Sequence, residues 1–217
     1  MAIAATTGVV AIGHAAASLW TLEVEEVVED LRAGKMPDEK QLSAAFAASR
    51  TAAQLADQAL HRTQAATILL AMPGAARQSQ ATQGVSEESL VKDALEAAPA
   101  NPYNWGRLAM IRYARGDFDG ARKALLQSIA MGRYAPNLAG GRARLALALS
   151  DRGQTGLATI AKQQILFAAA SQPELLARYH RDTDFVAYCH RVLVGNREPH
   201  LAFIKALRQA RKSVVHS

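Results

Sequence analysis

Cys189 and His190 are neighbours whose types suggest a nucleophile and its base. On a helix, however, successive side chains diverge by about 100° and do not face each other, so the pair lacks the geometry of nucleophilic catalysis. A buried structural cysteine is the simpler reading. His180 and His190 lie ten residues apart with the cap-forming Asp182 between them, and no other His/Cys pair has ligand spacing. Glu87, Glu88 and Glu174 have the chemistry of a general acid for glycan cleavage. Each also follows a helix-start signal, where a first-turn carboxylate is favoured by the macrodipole. The chain contains no GxSxG, GxxxxGK or GxGxxG segment. These residues imply no catalytic centre, no cofactor and no metal site, and a chain that acts by binding and is not an enzyme.

The elements that hold these residues are expected to be helices. Alanine is abundant, aromatics make up 6% of the chain, and β-branched runs are scarce. The single cysteine, Cys189, can form no internal disulfide and leaves the compartment open. A formal charge of +6 raises nucleic acid as a partner. The basic residues are instead scattered, with no Lys/Arg block interleaved with aromatics, which argues against a nucleic-acid partner. Glu23, Glu25, Glu26, Glu29 and Asp30 make one segment acidic, and Arg191, Arg197, Lys205, Arg208, Arg211 and Lys212 make the end basic. A solvated basic helix or an anionic membrane surface would account for that end.

Met1 to Leu22 contains no Asp, Glu, Lys or Arg. As a helix it would extend about 33 Å at about 1.5 Å per residue, enough to span a bilayer with Trp20 at the interface. The expectation is a single-pass transmembrane anchor of bacterial inner-membrane type, the soluble part facing the periplasm. A cleaved signal ending near Ala15-Ala16-Ala17 and a buried Ala-rich helix are the alternatives, since a basic n-region is absent.

The remainder reads as a helical region over 23–74, a polar loop over 75–86 and a helical repeat domain over 87–217. Gly34 to Asp38 is a turn, Pro37 opens a helix carrying Leu42, Ala45 and Phe46, and a long Ala-rich helical segment runs from Thr51 to Met72 until Pro73-Gly74 stops it. AARQSQATQGVS, from Ala75 to Ser86, has no apolar period and reads as a loop. Beyond Glu87, short helices are punctuated by Pro99, Asn101-Pro102, Gly116-Asp117, Pro136-Asn137 and Gly153. Ser171 and Glu174 have capping-box spacing, Asp182 caps a further helix, and Gly195 and Pro199 separate the last two.

A period underlies this pattern: Leu108, Ala109, Gly116 and Ala121 recur as Leu145, Ala146, Gly153 and Ala158, each displaced by 37 residues. NPYNWGRLAMIRYARGDFDGARKALLQSI resembles a tetratricopeptide repeat, with Trp105 and Leu108 on its first helix and Ala109 at the small crossing position. Gly116 falls in its turn, and Ala121 and Leu125 on its second helix. Ala94 to Asn101 resembles the close of an earlier repeat, with Pro99 at the proline position. Arg112 departs from the pattern where an aromatic is usual, Arg133 where proline is expected, and Lys162 where the next unit should be apolar. The likeness covers about Ala94 to Ala168.

The resemblance implies an all-α fold of degenerate helical hairpins in a right-handed solenoid behind a transmembrane helix. In layout the chain is similar to tetratricopeptide proteins of bacterial envelope and exopolysaccharide systems. The expected function is a membrane-tethered protein-interaction scaffold in an envelope complex, linked to polysaccharide synthesis or export. A structural subunit packed inside a larger membrane assembly, and a small periplasmic enzyme or ligand binder, are the alternatives. The repeat register places Tyr103, Met110, Tyr113, Leu147 and Asp151 on the face such arrays turn toward a partner, with Arg107 and Arg112 off that stripe.

Overall fold

The computed structural model describes residues 24–31, 35–56, 59–82 and 85–215. The expected anchor, Met1 to Leu22, lies outside them. Among the described residues every regular element is a helix, and no helix is long and apolar enough to cross a membrane. The chain divides into two compact units, Met1–Asn104 and Trp105–Ser217. The boundary thus falls inside a helix, and the stretch 87–101 belongs with the first unit instead of the repeat region expected to begin at Glu87.

In the first unit, α1 covers residues 24–31 and is followed by α2 (Glu39–Ala56), α3 (Ala59–Ala71), α4 (Gly74–Thr82) and α5 (Glu87–Ala97). Asp38 starts α2 reciprocally: its carboxylate accepts from the Gln41 amide at 2.8 Å, and the Gln41 side chain accepts from the Asp38 amide at 2.9 Å. Two orphan helix-end donors are satisfied at once. The expected long helix from Thr51 to Met72 is in fact shared between α2 and α3, which pack on each other, with α3 also packed on α5. Two packed helices bury apolar faces that one continuous helix would expose. Val24, Val28, Leu42, Phe46, Ile68 and Leu69 form the core, each nearly closed to solvent.

The expected loop at Ala75 to Ser86 needs correction, because α4 occupies most of it. Pro73 supplies the carbonyl that accepts from the Arg77 amide at 3.0 Å. Ala76 packs against the core, and the Arg77 guanidinium reaches Glu87 at 3.0 Å. No Gly or Pro interrupts Ala75 to Thr82, so tertiary contacts complete a helix that lacks an apolar stripe. Ser86 then caps α5, its hydroxyl accepting from the Ser89 amide at 3.0 Å.

In the second unit, α6 (Pro102–Ala114) continues past the boundary into α7 (Phe118–Met131), α8 (Pro136–Ser150), α9 (Leu157–Ser171), the short α10 (Pro173–Ala177), α11 (Thr183–Leu193) and α12 (Arg197–Val215). Gly116 and Gly153 both take positive φ, 82° and 83°, where a side chain would be strained. The core gathers Ile165, Leu176, Phe185, Cys189, Leu193 and Phe203 with the small residues Ala139, Ala143 and Ala168. A fully buried Phe185 or Phe203 contributes roughly 1.5–3 kcal/mol from desolvation. Ser171 and Glu174 do not form the expected capping box: Ser171 is still the last residue of α9, its hydroxyl donates to the Phe167 carbonyl at 2.8 Å, and Gln172 takes the N-cap place.

Candidate functional site

Cys189 is fully buried, and burial, reinforced by the charge of Asp182, pushes its thiol up to about 12. A thiol held protonated at neutral pH is a poor nucleophile. The neighbouring His190 turns instead toward α12, where its Nδ1 lies 2.9 Å from His200 Nε2 and its ring meets Phe203 edge-on. Among the described residues no group of three or more His, Cys, Asp or Glu side chains could hold a metal ion.

The repeat helices bring other residues together. Met110, Tyr113, Leu147 and Asp151 line one groove of about 240 Å³ along α8 in the second unit. Each comes from a different turn: Met110 and Tyr113 lie one turn apart on α6, Leu147 stands in the last turn of α8, and Asp151 is its C-cap. Tyr113 is steadied by Phe118, with ring centroids 5.6 Å apart, and Phe118 is in turn covered by the Arg152 guanidinium at 5.3 Å. Met110 is left 46% exposed. Tyr103 is also exposed but lies at the start of α6 in the first unit, and it is not a residue of this groove.

More of the lining comes from residues the repeat pattern did not announce: Arg144, on the α8 face that carries Leu147 and Asp151, and a further wall of Tyr179 after α10 and Asp182 and Asp184 at the start of α11. Arg144 donates to Asp182 at 2.7 Å and lies over the Tyr179 ring at 5.6 Å. Burial opposes the Asp182 charge, yet the Arg144 bond and the Phe185 amide outweigh it, and the carboxyl pKa is lowered. Burial raises the Tyr179 hydroxyl above its ordinary range against the nearby Arg144 and Arg178.

What lets that wall approach is a pair of glycines. A Cβ on Gly140 would sit 3.0 Å from the Leu175 carbonyl and 3.3 Å from the Tyr179 ring, and one on Gly141 would sit 3.3 Å from the Tyr179 hydroxyl. Two adjacent glycines inside a helix lower its propensity by about 1 kcal/mol each, so a packing reason was to be expected at Gly140-Gly141. That doublet is the signal in the sequence that points to the missing wall.

Arg112, off the expected stripe, is engaged away from the groove: it donates to the Gly120 carbonyl at 3.4 Å and lies 3.9 Å from Asp117. Two other hollows are poorer candidates. One of about 360 Å³ lies along α12 alone, among Leu201, Ile204, Lys205, Arg208, Gln209 and Lys212, so one helix supplies every contact. Another of about 490 Å³, in the first unit, is open and polar, and its Arg62 already donates to the Asp93 carbonyl at 3.2 Å.

No protein-family model matches the chain, and no curated protein matches it. The groove must therefore be read from its own chemistry.

Proposed function

We infer that this chain is a protein-interaction module of tetratricopeptide-like design, and that the α8 groove is its contact surface. The observation that carries the reading is the convergence of Met110, Tyr113, Leu147 and Asp151 on one concave surface. A half-exposed methionine and an aromatic ring steadied by a second ring bury large area at modest entropy cost, which suits them as anchors for a partner side chain. The groove offers no positioned nucleophile beside a base, so recognition is the chemistry it supports best.

The solenoid belongs to this proposal. Two helix pairs, α6–α7 and α8–α9, share a turn glycine at a displacement of 37 residues and repeat Leu-Ala core positions in their first helices. The membrane tether is also proposed, on the uncharged stretch from Met1 to Leu22. A tethered module of this kind would recruit a partner within a bacterial envelope complex, and polysaccharide synthesis or export is the setting that the layout suggests.

The experiment is affinity isolation from detergent-treated membranes with the full chain, alongside Tyr113→Ala, Met110→Ala and Arg107→Ala. The groove variants are expected to weaken capture by at least ~1 kcal/mol while melting stays cooperative, and Arg107→Ala to do much less. Equal capture by all three would move the interaction to another surface. Capture that survives every soluble substitution but is lost on deleting Met1 to Leu22 would favour the second reading, a subunit packed through its membrane helix.

A further inference from the structure

The groove brings apolar side chains and carboxylates together. Met110, Tyr113 and Leu147 supply the apolar groups, while Asp151, Asp182 and Asp184 bring carboxylates to the same hollow. Its cation, Arg144, is already engaged, bonded to Asp182 at 2.7 Å and stacked over Tyr179. Asp151 and Asp184 are both exposed, and neither takes part in an ion pair among the described residues.

The two differ in what their helices do for them. Asp184 sits in the first turn of α11, where the positive end of the helix dipole favours a carboxylate. Asp151 is the C-cap of α8, beside the last carbonyls of that helix, where the same dipole disfavours one. A carboxylate at a helix C-terminus is a place where an incoming cation gains from the side chain and from the negative end of the dipole together. The apolar groups lie within the same hollow, so a cation arriving there brings its neighbouring side chains over Met110, Tyr113 and Leu147.

We propose that the partner segment seated in this groove is a peptide carrying a Lys or Arg next to a large apolar side chain, the cation at Asp151 and Asp184 and the apolar group over Met110 and Tyr113. This rests on the reading of the groove as the contact surface. Charge complementarity selects the occupant: acidic peptides, nucleic acid and lipid phosphates meet three carboxylates against one committed guanidinium, and are repelled. The rim position of the carboxylates means that they act chiefly on association rate and specificity, with a steep dependence on salt.

The probe is a phage-displayed library of random dodecapeptides, selected on the purified full chain and re-screened on Asp151→Asn/Asp184→Asn, Tyr113→Ala and Met110→Ala. Enriched peptides are expected to pair Lys or Arg with Leu, Ile, Phe or Trp, and to lose at least tenfold in affinity on the double Asn variant and in high salt. Met110 is exposed, so Met110→Ala keeps the comparison valid if Tyr113→Ala fails to fold. Peptides that need Met110 or Tyr113 but bind the double Asn variant as well as the parent would overturn the proposal and leave the groove reading standing. Peptides indifferent to Met110→Ala, or no enrichment at all, would overturn both.

Discussion

In the α6–α7 pair the turn is Gly116 followed by Asp117, whose carboxylate accepts from the Gly120 amide at 2.8 Å and caps α7. In the α8–α9 pair the turn is longer, uses positive φ at both Gly153 and Gly156, and gives α9 no side-chain cap. The first helices keep the 37-residue displacement, with Leu108 and Ala109 buried like Leu145 and Ala146. The second helices keep it only in part: Ala124 and Ser128 are buried like Ala161 and Ile165, but Ala158 and Lys162 are exposed where Ala121 and Leu125 are buried, and Leu157 is buried one residue ahead of Ala158. A turn that lacks a cap leaves the first turn of the following helix to be set by packing, and Leu157 buries more apolar surface than Ala158 would.

At Lys162 the side chain faces solvent, and Ala161, in register with the buried Ala124, fills the core. Trp105 and Arg142 occupy equivalent places 37 residues apart. Trp105 is half-buried, whereas Arg142 is 3% exposed and fastens the end of α7. Its Nη1 donates to the Gly132 carbonyl at 2.7 Å, Nε donates to the Ser128 hydroxyl at 3.1 Å, and Nη2 donates to the Ser128 carbonyl and hydroxyl. A guanidinium suits a helix C-terminus, where carbonyls lack partners and the dipole is negative.

The largest effect should therefore come from Arg142. Arg142→Ala leaves the Gly132 carbonyl and the Ser128 groups short of a donor in buried surroundings, and is expected to destabilise the chain by about 3–4 kcal/mol in urea melts. Arg142→Lys should recover only part, since one ammonium cannot reproduce the fork. An Arg142→Ala variant as stable as the parent would reduce the second pair to a copy of the first with a spectator cation.

Gly140→Ala should come next, at about 2 kcal/mol, because its methyl meets the Leu175 carbonyl at 3.0 Å. A stabilised Gly140→Ala would mean that α10 yields easily and that the groove wall is soft. Asp117→Ala should cost about 1 kcal/mol through the lost cap, while Thr155→Ala, in the uncapped turn of the second pair, should move the midpoint by less. Equal losses would remove the contrast between the two turns.

The smallest effect serves as a control on α11 and α12. Burial, then the nearby His200 and Arg211, lowers the His190 pKa below 6.5. The unfolded chain then binds a proton that the folded chain resists, so stability present above pH 6.5 is lost as the pH falls toward the folded value. His190→Gln should flatten that slope in melts across pH 5–8. A slope unchanged by the substitution would assign the acid sensitivity to other groups.

Much of this was legible where spacing and chemistry coincide. Gly116 and Gly153 announced the turns, and the Leu-Ala pairs announced the first-helix core. Tyr113 and Met110 were placed on a common stripe by register alone. The burial of Leu157 in place of Ala158 was not legible, because Leu and Ala are both acceptable core residues and only packing decides between neighbours. Nor were Tyr179, Asp182 and Asp184, which reach the groove through a tertiary approach that no period encodes. The α4 helix was hidden by its polar composition, since its stability comes from Ala76 and from Arg77 meeting Glu87 rather than from an apolar stripe.

The most direct test of the groove as the contact surface is photo-crosslinking from a benzoylphenylalanine placed at Met110 or at Tyr134, in the cells that make the protein. Tyr134 is 73% exposed against 46% for Met110, so accessibility alone favours adducts at Tyr134. A discrete protein adduct from Met110, absent from Tyr134 and lost on adding Asp151→Asn/Asp184→Asn, is the predicted result. Adducts from Tyr134 alone, or the same adducts from both positions, would contradict it.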